Sequence, residues 1–114
     1  MLLHTRTYGP QAGPPVLVLH GVRDHGGRLR RLAEDALPDD RVIAPDLRGH
    51  GRSGWEPPWD VATHVADVLE TLAGHDVGEP IEVIGHSFGR LIACAVAAQA
   101  PERVCGRRGR GPAW

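Results

Sequence analysis

The chain has 114 residues, 41% of them hydrophobic, and a formal net charge of −1. That length allows one domain at most, with apolar material for one core, and near-neutrality argues against a general polyanion or membrane-surface partner. All 13 residues in the Lys+Arg count are arginine, which excludes a P-loop or Schiff-base lysine, and Cys94 and Cys105 form no C-x-x-C and no disulfide framework.

The first residues lack the apolar run of a signal peptide, and no stretch approaches the ~20 apolar residues of a membrane-spanning helix. A soluble, cytoplasmic protein is the expectation. Residues 2–8 alternate weakly, as an edge strand does, and 9–15 form a turn-rich connection. Val16 to Leu19 is a continuous apolar run, the pattern of a parallel strand buried on both faces. A loop follows from Gly21 to Gly27, in which Asp24 and His25 read as loop-shaping residues. His20, at its start, is expected to hydrogen-bond its neighbours rather than move protons.

Leu29, Leu32, Ala33, Ala36 and Leu37 recur at helical spacing until Pro38 stops the helix. Val42 to Ala44 is the next buried strand. Between Asp46 and Gly54, glycines at 49, 51 and 54 allow a tight path that Asp46 and Arg48 can tie together. A phosphate cradle is not expected there, because G-x-G-x-x-G is absent and no helix opens directly from the loop. Asp60 caps a helix whose face is Val61, Val65, Val68, Leu69 and Leu72, with Gly74 at its end. Ile81 to Ile84 is the third buried strand. The helix after Ser87 carries Leu91, Ile92, Ala95 and Val96 with alanines elsewhere, so it is expected to be buried nearly all round, until Pro101 ends it. Strand, helix, strand, helix, strand, helix predicts a mainly parallel sheet with helices on both faces.

Gly85-His86-Ser87-Phe88-Gly89 fits the G-x-S-x-G turn from strand to helix. Such a turn forces the serine into a strained conformation, so the residues two before and two after it must be small. The helix start also aims N–H groups and the positive end of its dipole at a nearby oxyanion. With Val16-Leu17-Val18-Leu19-His20-Gly21 and Val42-Ile43-Ala44-Pro45-Asp46-Leu47-Arg48-Gly49-His50-Gly51-Arg52-Ser53, the chain resembles the N-terminal part of the α/β-hydrolase family over about residues 14 to 104. The resemblance implies a partial α/β-hydrolase fold, with the strand at 81–84 beside that at 16–19 and 42–45 on the latter's other side. It implies a serine hydrolase acting on an ester or related acyl bond of a small molecule, with Ser87 as nucleophile and no cofactor or metal. The backbone N–H groups of Val22 and Phe88 would be the oxyanion donors, and His20, His50 and His86 would line the site. Serine at position 87 argues against the family's dehalogenase and epoxide-hydrolase branches.

Two departures stand beside the resemblance. Arg90 takes a place where the family usually has a small residue, so its guanidinium is expected either to point outward or to strain the turn. After Val104, residues 105–114 carry no apolar run, in contrast to the sixth strand of the family. The expected organisation is residues 1–104 as the N-terminal part of a hydrolase domain and 105–114 as a disordered Arg/Gly-rich tail, too short for nucleic-acid binding to be expected. Without a following strand, 81–84 would be an exposed sheet edge open to self-association. In the family the order is Ser, then an acid, then His, and the last two follow later strands. A truncated or frameshifted, non-catalytic fragment is therefore the alternative to an active hydrolase.

Overall fold

A computed structural model describes residues 1–21, 25–77 and 80–108. Its architecture follows from the two-residue period of the strands. In β2 (Pro15–Leu19) all of Val16 to Leu19 are buried, yet they serve two different layers. Val16 and Val18 pack with Val42, Ala44 and Ile84 against Leu29, Ala33 and Leu37, the buried side of α1 (Arg30–Ala36) and of the short 3₁₀ turn before it. Leu17 and Leu19 pack with Ile43, Val83 and the buried residues of α2 (Val61–Gly74) and α3 (Phe88–Gln99). The result is a sheet with α1 on one face and α2 and α3 on the other.

Among the described residues the sheet has five strands, in the order β1-β3-β2-β4-β5. β1 (Thr5–Tyr8) lies antiparallel on β3 (Arg41–Pro45), while β2 runs parallel to both β3 and β4 (Ile81–Gly85). This is the expected neighbour order, with β2 between β3 and β4. The chain winds outward from β2 to β3, then crosses back over β2 to reach β4. The reversal opens a crevice between the carboxyl ends of β2 and β4, where open sheets of this kind hold ligands.

Helix boundaries also follow the sequence. Asp60 caps α2, its Oδ1 accepting from Thr63 N–H at 2.7 Å, and α2 ends at Gly74. Arg90 is exposed, as its bulk requires.

Two expectations need correction. First, α3 is not buried all round. Gly89, Ile92, Ala93 and Val96 form one buried stripe, whereas Leu91 is 53% exposed and Ala98 and Gln99 are exposed. One face of the helix lies on the sheet, and alanine tolerates either side of such a helix. Second, the chain after the 3₁₀ turn Pro101–Arg103 pairs in parallel with β4 as β5 (Val104–Arg108). The strand therefore runs past the expected boundary at 104, and β5, not β4, is the edge. A ladder needs only backbone N–H and C=O groups, so it forms here without an apolar run. Residues 109–114 of the expected tail lie outside the described residues.

Candidate active site

Ser87 occupies the turn between β4 and α3 with φ 55° and ψ −116°. Side chains other than glycine's rarely adopt a positive φ with this ψ, at a cost of order 1–3 kcal/mol. Close backbone approach enforces the conformation. A Cβ on Gly85 would lie 2.5 Å from Arg90 Cα and N and from Gly89 O, and one on Gly89 would lie 2.2 Å from Leu19 O and 2.5 Å from His20 O. Both positions therefore exclude any side chain, the steric condition that the spacing Gly85-x-Ser87-x-Gly89 anticipates. Hydrogen bonds close the turn: His86 N–H to Leu19 O (3.0 Å), Gly89 N–H to His86 O (2.9 Å) and Arg90 N–H to Ser87 O (3.0 Å).

Ser87 itself is exposed. Phe88 is the first residue of α3, where helix geometry leaves the N–H without an intrahelical acceptor and adds the positive end of the dipole. The loop leaving β2 comes alongside, so that a Cβ on Gly21 would be 3.4 Å from Ser87 Cβ and from His86 Cδ2. Val22, expected as the second oxyanion donor, and Asp24 lie outside the described residues. His25 shapes the loop as anticipated, its Nδ1 accepting from Gly27 N–H at 3.1 Å.

His20 is fully buried. Its Nε2 accepts from Leu47 N–H (2.9 Å), which requires an unprotonated Nε2, and its Nδ1–H donates to Gly21 O (2.6 Å). With both nitrogens committed, the ring is a neutral strut between the loops that leave β2 and β3. His50 lies over it, ring centroids 5.0 Å apart, with Nδ1 3.0 Å from Arg48 O.

The loop after β3 is held rigidly. Asp46, buried, accepts from Gly26 N–H (2.6 Å) and Arg52 N–H (3.0 Å), and the Ser53 hydroxyl donates to the Asp46 carbonyl. Arg48 donates twice to Asp67 of α2, each at 2.8 Å, and once to Glu56 O (3.0 Å). Burial acts to raise the Asp67 carboxyl, but hydrogen bonds from Arg48 and the Met1 amino group outweigh it and hold the group below the ordinary carboxylate range. Asp46 and Arg48 thus act as the sequence reading proposed.

One feature of the site went unread in the sequence. A cavity of about 360 Å³ lies beside the turn, walled by Trp55, Trp59 and Phe88, with Arg48, His50 and His64 completing its lining. Trp59 lies against Gly49, where a Cβ would come within 2.9 Å of Cζ3, and φ at Gly49 is +80°. His64, on α2, meets the Phe88 ring edge-on at 5.3 Å. Burial pushes the His64 imidazole below its ordinary pKa, and the charges of His50 and Arg48 push the same way against Asp67 and Asp60. The signal available was its spacing: position 64 falls on the same helical face as Val61, Val65 and Val68.

Among the described residues no group of three or more His, Cys, Asp or Glu converges as a metal site would require, and no helix is long and apolar enough to cross a membrane.

Comparison with known proteins gives a consistent picture. A family model described as alpha/beta hydrolase fold matches residues 14–106. The chain is 43% identical over 102 residues to lipase LipV of Mycobacterium tuberculosis, covering 90% of this chain and 38% of the lipase. It is 42% identical over 104 residues to a pimeloyl-[acyl-carrier protein] methyl ester esterase of Chromobacterium violaceum, covering 91% of this chain and 38% of that enzyme. Among solved structures, a marine microorganism esterase superposes with a TM-score of 0.87 at 27% identity, covering 93% of this chain and 40% of the esterase. The chain thus spans about two fifths of the length of these relatives.

Proposed function

Since this chain belongs to the α/β-hydrolase fold family, we propose that it forms the nucleophile-bearing part of a serine hydrolase that cleaves an ester or related acyl bond of a small molecule. Ser87 is the nucleophile, and the backbone N–H groups of Phe88 and Val22 are the oxyanion donors. The observation that carries this reading is the conformation of Ser87: an exposed hydroxyl kept at a strained backbone position, between two residues whose Cβ atoms have no room, at the crevice where the winding of the sheet reverses. Nothing in packing alone calls for a serine there. The relatives named lipase and methyl ester esterase support an ester as the substrate class.

In this mechanism Ser87 Oγ attacks the carbonyl carbon while a base takes its proton. The developing oxyanion turns toward the N–H of Phe88 at the helix start, and a single donor of this kind is worth ~10²–10³ in turnover in a working enzyme. The alkoxide or amine then leaves with a proton from the same base, and water releases the acyl group by the reverse sequence. His20 does not serve as the base, because Leu47 N–H occupies the one lone pair that could accept the proton. His50 has its Nδ1 on a carbonyl. By family order the acid and the histidine follow Ser87 on later strands. Where a triad acts as a unit, loss of the histidine costs on the order of 10⁶ in turnover.

The test is hydrolysis of an activated aryl ester by three proteins: the 114-residue chain, its Ser87→Ala variant, and a chain continued with the family's later acid and histidine. The first two are expected to match, and the third to turn over in a manner that Ser87→Ala abolishes. Turnover by the third protein that survives Ser87→Ala would refute the assignment. Ser87-dependent turnover by the first would make His50 the base to test.

A further inference from the structure

A buried histidine that the proposed chemistry does not use lies one contact away from it. His64, near the start of α2, is 3% exposed and meets the Phe88 ring edge-on, with centroids 5.3 Å apart and ring planes at 80°. Phe88 is the first residue of α3, directly after the strained Ser87, and its side chain packs on the core that α2 and α3 share. Helix geometry gives its N–H no intrahelical acceptor, so the direction of that N–H depends on how firmly the first turn is held. Close backbone approach fixes one side of the turn, where Gly89 sits against Leu19 O. The Phe88 ring, held by His64, ties the same turn to α2.

The packing suits only one charge state of the imidazole. Its Nδ1 is buried and has no hydrogen-bond partner among the described residues. A neutral ring can leave its lone pair there, whereas an imidazolium carries an N–H on both nitrogens, and a buried charged donor without an acceptor is costly. The surrounding charges do not offset that cost. On α2, Asp67 and the cap residue Asp60 favour a proton on His64, but Asp67 is already engaged by Arg48 and the Met1 amino group. From the loop after β3, His50 and Arg48 oppose it, and α3 contributes the uncharged Phe88 ring. Burial is the largest effect and holds the imidazole below its ordinary pKa.

We propose that His64 is a positioning residue: the neutral imidazole, packed against Phe88, keeps the Phe88 N–H aimed at the oxyanion, and protonation of His64 loosens the start of α3. The coupling of His64 to Phe88 stands on the packing alone. Its meaning for turnover rests on the hydrolase reading, in which the Phe88 N–H is an oxyanion donor. Such a contact adds an acid limit to turnover, separate from the titration of the base that activates Ser87.

The coupling is tested on the 114-residue chain by NMR between about pH 5 and 8, following the Phe88 backbone amide and the His64 ring carbons. The Phe88 amide is expected to shift with the His64 midpoint, which should fall below about 6.5. His86 is ionisable and close in sequence, so the titration is repeated on His86→Gln, which should keep the shared midpoint. His64→Phe, which keeps a ring against Phe88 but cannot titrate, should lose it. A His64 midpoint above about 6.5, or a Phe88 amide that does not follow it, overturns the proposal. Turnover is read in the chain continued with the family's later acid and histidine. His64→Ala should lower kcat roughly tenfold, part of the ~10²–10³ carried by one oxyanion donor, and leave KM nearly unchanged, while His64→Phe should restore kcat at pH 8. On acidification the parent's kcat should fall more steeply than one proton explains, and that of His64→Phe as one proton explains. If His64→Ala does not fold, the His64→Phe profile decides, and an acid limb identical to the parent's overturns the positioning role. A shared midpoint without Ser87-dependent turnover in the continued chain would remove the hydrolase reading, and the role in turnover with it, while the coupling of His64 to Phe88 stands.

Discussion

Replacing Ser87 by glycine and by alanine separates the cost of its backbone conformation from the loss of its hydroxyl. At φ 55° and ψ −116°, serine and alanine carry the same steric penalty, of order 1–3 kcal/mol, which glycine escapes. Glycine gives back part of that gain, since its unfolded chain is freer by roughly 0.5–1 kcal/mol. The net expectation is that Ser87→Gly is about 1–2 kcal/mol more stable than Ser87→Ala. With a urea dependence of ~1–3 kcal/mol per molar for a small domain, the midpoint should rise by several tenths of a molar or more. Ser87→Ala should stay near the parent, because the exposed hydroxyl makes no capping hydrogen bond to the helix. Urea titrations followed by circular dichroism provide the comparison. If Ser87→Gly proves the less stable of the two, as at an ordinary position, the turn is not strained and the argument for a retained functional serine fails.

Other outcomes follow from the same geometry. Gly89→Ala, which in a free helix would gain up to about 1 kcal/mol, should instead lose ~2–4 kcal/mol in urea unfolding, since its Cβ would fall 2.2 Å from the Leu19 carbonyl oxygen; a neutral result would contradict the packing described. Because burial depresses the His64 imidazole, the unfolded chain takes up a proton near pH 6.5 that the folded chain refuses. Stability should therefore be full above about pH 6.5 and decline on acidification, and His64→Gln should flatten that segment of the pH–stability curve. Asp67→Asn, which removes the carboxylate charge and one of the two acceptors facing Arg48, should lower stability, since Asp67 itself is buried and an amide nitrogen would then face the guanidinium. Thermal unfolding of the parent and variant would show it, and an unchanged midpoint would mean that the loop after β3 is not held by this pair.

Much of this was legible in the residues. Val16 to Leu19, Val42 to Ala44 and Ile81 to Ile84 declared buried parallel strands because both of their faces are apolar, and the capping of α2 by Asp60 followed from local chemistry alone. The steric demand on Gly85 and Gly89 was also readable, since it arises within a single turn. What escaped notice depends on neighbours. β5 has no apolar signature because an edge ladder is made by backbone groups, and Gly106, Arg107 and Arg108 join it without any side-chain pattern. Leu91 reads as a core residue by type but faces away from the sheet. The cavity unites Trp55 and Trp59 from a loop, His64 from α2 and Phe88 from α3, and no single window of sequence contains that set.

The assignment of Ser87 is tested most directly by covalent capture. A chain continued with the family's later acid and histidine is exposed to an aryl phosphonate ester, and the site of the adduct is mapped by mass spectrometry of its peptides. The account predicts one phosphonyl group on Ser87, no adduct in Ser87→Ala, and ester hydrolysis lost in step with the labelling. An adduct on any other residue, or full hydrolysis after Ser87 is labelled, would contradict it.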